Sequence, residues 1–151
     1  MIMYRGMWKC AGLLNKPTHI KVNTTTGLGS AGTLQLRLGS KYAKQDHCIE
    51  TGFWVRNCSC KDRPHGLSVT NVIPLLPNHL PCSLGGIHSD ATFKVWYLEE
   101  SVLLAFGLTV SWKVQHDKLI GEYMHGVIHP IKDVSINQAQ ALIYGTKNYW
   151  N

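Results

Sequence analysis

The sequence is short of acids, has no long apolar run, no consecutive bases and no catalytic signature, and each shortage removes a class of protein. Nine Asp and Glu stand against fifteen Lys and Arg in 151 residues. No apolar stretch approaches the roughly 20 residues that a membrane-spanning helix needs, so no membrane partner is expected. No basic leader with an apolar run and a small-residue cleavage site opens the chain, and synthesis in the cytoplasm is the expectation. Two sequons, Asn23-Thr24-Thr25 and Asn57-Cys58-Ser59, matter only in a secretory lumen and are set aside. The five cysteines, Cys10, Cys48, Cys58, Cys60 and Cys82, are odd in number, which argues for reduced thiols over a disulfide framework. No internal repeat is visible.

What charge there is lies unevenly. From Met1 to Leu67 ten Lys and Arg face Asp46, Glu50 and Asp62, whereas from Ser68 onward five bases face six acids. The formal charge of +6 therefore belongs to the first half, which offers a basic face to an anionic partner such as nucleic acid or an acidic glycan. Dispersed lysines that keep a β-protein soluble explain the same numbers.

The clearest pattern runs from Val102 to Gln115. From Leu104 the residues alternate, with Leu104, Phe106, Leu108, Val110, Trp112 and Val114 on one side and Ala105, Gly107, Thr109, Ser111, Lys113 and Gln115 on the other. A period of two predicts a half-buried strand with an apolar inner face. Similar alternation predicts strands at Tyr4 to Trp8, Thr18 to Thr25, Thr33 to Leu38, Thr51 to Arg56 and Ala91 to Leu98. In the last of these, Trp96 and Lys94 fall on the outer face. Turns at Glu99 to Ser101 and at His116 to Lys118 predict a meander of Ala91 to Leu98, the central strand and Leu119 to Ile128.

Gly27, Gly29 and Gly32 spell G-x-G-x-x-G, but the alternating TLQLRL that follows cannot be the helix a dinucleotide site requires, so a loop between strands is expected. Four prolines and three glycines make about 61–89 a long connection, with a short strand at Leu67 to Ile73. Ser135 with Gln138 three residues on, a face of Ile136, Ala139 and Ile143, and Gly145 as a stop predict one C-terminal helix. The whole reads as a single all-β domain over residues 1–151, mainly antiparallel, a β-sandwich or partly open barrel with one short C-terminal helix.

Chemistry is sparse. Cys58, Cys60, His65 and His47, with Cys48, are the residue types zinc takes. Cys58 and Cys60 have one residue between them where zinc modules use two to four, so neither metal nor cofactor is expected. His79 with Cys82 and His65 with Cys60 can be drawn as catalytic pairs, but no flanking pattern marks a nucleophile. His116-Asp117 fits polar turn residues better than a metal dyad. His125 and His129, four apart, would lie roughly 13 Å from each other on a strand and share no metal.

Trp54 beside Arg56 and Trp96 beside Lys94 suit a stacking platform for nucleic acid or sugar. Met1, Met3, Tyr149 and Trp150 are too apolar for free arms, and Thr109 and Ser111 leave a small-residue face that a covering loop or another subunit can approach. The expectation is a non-enzymatic structural or assembly protein, self-associating or bound to other structural proteins, as in the capsid, tail or accessory parts of a virion. A glycan- or nucleic-acid-binding β-module is the alternative, and a small hydrolase or nuclease comes third.

Overall fold

The structure is a computed structural model that describes residues 1–10, 13–17, 33–36, 46, 53–54, 64–72, 93–118 and 121–151. Among these, the strands are β1 Ile2–Cys10, β2 Leu13–Pro17, β3 Phe53–Trp54, β4 Leu67–Thr70, β5 Phe93–Glu99, β6 Leu108–Asp117, β7 Gly121–Pro130 and β8 Val134–Ser135. Helix α1 is Ile136–Gly145, and 3-10 segments span Glu100–Phe106 and Lys147–Tyr149.

Six strands make one antiparallel sheet in the order β5–β1–β4–β7–β6, with β2 paired to the end of β1. The sheet is open: β6 and β5 do not pair. β3 and β8 form a separate two-stranded ribbon. The fold is thus mainly antiparallel β with one short C-terminal helix, as the alternation predicts.

Opposed residues in a ladder share a face, so the registers assign every side chain. Tyr97, Tyr4, Thr70, His125 and Lys113 form one row straight across the sheet on its polar face. The opposite face carries Trp96, Leu98, Met3, Met7, Leu67, Val69, Ile128 and Leu108, all buried, with Val110 and Trp112 packed against them. Leu34, Leu36, Leu103, Ala139, Ile143 and Trp150 close this core from the far side.

Arg5 sits among them with only 9% of its surface exposed. Its guanidinium donates through Nε and Nη2 to the Thr33 carbonyl at 3.1 and 3.0 Å and through Nη1 to the Ser68 carbonyl at 2.6 Å. A buried cation is tolerable only when its donors are satisfied, and here they tie the 33–36 segment to β4.

Three sequence expectations need correction. Glu100–Phe106 is 3-10 helix, so the long strand begins only at Leu108. Leu103 and Phe106 face the core at a spacing of three while Leu104 is 66% exposed, and Gly107, at φ 70°, closes the turn. β5 pairs with β1, not β6, so the meander reduces to the β6–β7 hairpin. The short strand expected at Leu67 to Ile73 is present as β4, Leu67–Thr70, and it is a central strand. Thr33 to Gln35 form a bend, because the Thr33 carbonyl is taken by Arg5 and both backbone groups of Leu36 by the Gln140 amide at 2.9 and 3.1 Å. The expected strand at Thr18 to Thr25 and the glycine loop at 27–32 lie outside the described residues.

The helix follows its sequence signals. Ser135 Oγ accepts from the Gln138 N–H at 3.2 Å, and Ala139 and Ile143 face the core. Beyond it the Thr146 hydroxyl donates to the Ile143 carbonyl at 2.7 Å and accepts from the Trp150 indole N–H at 3.0 Å. Asn151 then exchanges both backbone hydrogen bonds with Tyr97, at 2.8 and 3.0 Å, on the outer edge of β5.

Candidate functional site

The two edges of the sheet are treated differently. Asn151 caps β5, whereas among the described residues no strand pairs with the outer edge of β6. The direction of the β6 backbone follows from its neighbour. Met124 N–H donates to Asn71 Oδ1 at 2.8 Å and Met124 O accepts from Asn71 N–H at 3.2 Å, so Met124 turns its backbone toward β4. Its partner Val114 is therefore in a non-hydrogen-bonded pair, and the N–H and C=O of Val114 point to the outer edge. The Ile131 N–H donating to Gly107 O at 3.0 Å fixes the same alternation from the other end of the strand. Val110, Trp112, Val114 and His116 thus present their backbone groups outward along a ten-residue strand without a bulge.

β4 accompanies β7 only as far as Met124. Past that point the hairpin runs on, among the described residues, as two strands, and Lys113, Val114, His116, Lys118, Gly121 and Glu122 are all exposed. Val114 is 47% exposed although it belongs to the apolar face. The Tyr123 hydroxyl, which donates to Gln115 Oε1 at 2.7 Å, links the two strands there.

On the polar face Ser111 and His129 form a pair. His129 Nδ1 lies 2.8 Å from the Pro130 carbonyl and must donate to it, and Nε2 lies 2.8 Å from Ser111 Oγ. In the neutral ring Nε2 accepts the serine proton, the geometry of a general-base pair with a backbone carbonyl in the orienting place. His129 is only 1% exposed. Thr70 and Val127 on this face are buried too, so the middle of the polar face is covered within the chain, and Thr109 and Ser111 are half-buried.

The other predicted contact residues separate into two groups. Met1 and Tyr149 are 48% and 52% exposed, and Tyr149 meets Phe106 edge-on at 5.3 Å between ring centroids. Met3, Trp96 and Trp150 are core residues, 0%, 1% and 2% exposed, and the expectation that they form contact surface is withdrawn. Trp96 donates its indole N–H to the Met7 carbonyl at 3.0 Å, while Lys94 reaches over its ring at 4.4 Å. The sequence placed Trp96 outside because Lys94 shares its side of the strand; the lysine stem covers the indole and carries its charge outward.

The Met1 ammonium contacts Glu99 Oε1 at 2.8 Å and Glu100 Oε1 at 3.1 Å, and these hydrogen bonds, Glu99 first, hold it above its ordinary value. Glu100 Oε2 also accepts from the Trp112 indole N–H at 3.1 Å, so one carboxylate joins the start of β1 to β6.

Of the suggested zinc ligands, His65 is fully buried and Cys58, Cys60 and His47 lie outside the described residues. No group of three or more His, Cys, Asp or Glu among the described residues is arranged to hold a metal. No described helix is long and apolar enough to cross a membrane. A shallow depression is lined by Leu34, Gln35, Gln140, Ala141 and Tyr144, and Gln35 Oε1 is a buried acceptor without a hydrogen bond.

Sequence reasoning missed the β6 edge as a site. The signal for it was the polar run Lys113, Gln115, His116, Asp117 and Lys118 closing an apolar strand, which marks where the strand outruns the body. The chain matches no protein-family model, no curated protein and no solved structure.

Proposed function

We propose that this chain is a non-enzymatic structural protein that works by assembling with other protein surfaces through β6. The observation that carries the reading is the outward row of backbone donors and acceptors on β6, continued into a hairpin that among the described residues runs on as two strands. An open edge is a template for another strand, and proteins that stay monomeric blunt it with bulges, prolines or inward charges. β6 has neither bulge nor proline in its pairing register, and its charges, Lys113 and Asp117, stand only in its second half. A two-stranded hairpin is marginal in water by itself and gains most from a third strand. The setting proposed is a virion-type assembly, by analogy with β-modules that pack side by side there; the analogy rests on architecture alone.

The stacking-platform alternative loses its Trp96 and Lys94 pair because Trp96 belongs to the core, while Arg56 and the Trp54 side chain lie outside what the structure describes. The Ser111 hydroxyl is committed to a buried imidazole, which favours a structural role for that pair over hydrolysis. Sedimentation velocity on the purified chain up to tens of micromolar tests the assembly reading. A sedimentation coefficient that rises with concentration is expected, and a monomer throughout would overturn it.

A further inference from the structure

We infer that the partner on this edge is a second copy of the chain, paired antiparallel through β6 about a twofold axis at Val114. This rests on the assembly reading above and adds to it the partner and the register.

A twofold axis relating two antiparallel edge strands stands perpendicular to the sheet. Like faces then lie on the same side, and each residue meets one of its own face. That leaves few centres. With Lys113 at the axis, two ammonium groups stand directly opposed, which is destabilising. With Trp112 at the axis, His116 of the second copy must lie against Leu108, which is 0% exposed and so closed to another chain. With Gln115 at the axis, the ladder shrinks to Lys113–Asp117 and Val114 is set beside His116. With Val114 at the axis, Lys113 meets Gln115, Trp112 meets His116 and Ser111 meets Asp117, with no like charges opposed.

The backbone agrees with this register. Val114 turns its N–H and C=O outward, so at the axis the two copies exchange a symmetric pair of hydrogen bonds. The outward groups of Trp112 then match those of His116 in the other copy. The 47%-exposed Val114 side chain is covered by its own counterpart, and the apolar face continues from one molecule into the next.

Light scattering with size-exclusion chromatography on the parent, Val114→Lys and Val114→Cys chains tests the inference. Position 114 is exposed, so the lysine variant should keep its circular dichroism while its dimer dissociation constant rises about tenfold or more, a loss of roughly 1.4 kcal/mol of association. Opposed residues of such a pair have Cα atoms about 5.5 Å apart, within disulfide range. Mild oxidation of the Val114→Cys chain should therefore give, by mass spectrometry, a disulfide between two copies of the peptide that carries the substitution, joined at that position. A dimer that ignores Val114→Lys, or a Val114→Cys chain that never yields this cross-link, would overturn this edge and register while leaving assembly intact. A parent that stays monomeric at every concentration would overturn both.

Discussion

Trp112 of β6 lies flat across Gly126 of β7: a Cβ built on the glycine would stand 2.8 Å from both Cε3 and Cζ3 of the indole, and 2.9 Å from Val110 Cγ2. The two strands can approach with a tryptophan between them only because that position has no side chain. Gly126→Ala should therefore force the indole away and cost about 1–3 kcal/mol, the usual range for overpacking. Gly121 is the contrasting case, with nothing within 4 Å of its would-be Cβ but φ at +81°. Gly121→Ala should cost about 1–2 kcal/mol through backbone strain alone. Urea unfolding measures both losses, and tryptophan fluorescence separates them: only Gly126→Ala should shift the native emission.

Neighbouring residues on β5 should behave oppositely. Trp96 is 1% exposed and bonded to the Met7 carbonyl, whereas Tyr97 is 46% exposed on the other face. Trp96→Ala should cost about 3–5 kcal/mol, as large core truncations do. Tyr97→Ala should stay within about 1 kcal/mol, since only its contact with Tyr4 at 6.5 Å is lost. Equal losses at the two positions in urea titrations would mean that the face assignment of β5 is wrong.

Stability should fall in mild alkali. The folded-state value of the Met1 ammonium is raised above 8.0 by Glu99 and then Glu100. A group raised on folding contributes fully below its unfolded value, and the contribution is lost as pH rises through the folded value. The urea midpoint of the parent should thus decline above pH 8.0 more steeply than that of a Glu99→Gln, Glu100→Gln variant. The group is solvent-exposed, so the difference should shrink in high salt. Superimposable pH profiles would remove the ion pair as a contributor.

What the sequence disclosed was local. Ser135 and Gln138 announce α1 because a cap is decided within one turn, and the alternation of Leu108, Val110 and Trp112 announces the buried face of β6 because a hairpin pairs neighbours. What stayed hidden depends on remote partners. Trp96 and Tyr97 each lie on a face that alternation allows to be inner, and only the pairing of β5 with Met3 and Met7 of β1 decides between them. The strand at Leu67 is readable in the sequence, but not that Arg5 and β7 hold it at the centre of the sheet. Trp150 reads as contact surface because nothing near it in sequence reveals that Thr146 will turn its indole inward. The β6 edge was invisible for a related reason, since alternation says which face is buried but never which strand comes last in the sheet.

The order of strands in space, set against their order in the chain, also dictates how the molecule matures. β1 emerges early in synthesis, but its long partner β5 comes much later, and the Trp96 to Met7 hydrogen bond spans 89 residues. Closing so large a loop costs entropy before any contact rewards it, and topologies dominated by such closures fold slowly. The β6–β7 hairpin needs only its own turn and can zip within microseconds. The element made late is thus ready first, and it waits with its edge open while Met3 and Met7 of the nascent strand remain uncovered. During that interval the outward backbone of β6 is as available to a wrong neighbour as to a right one.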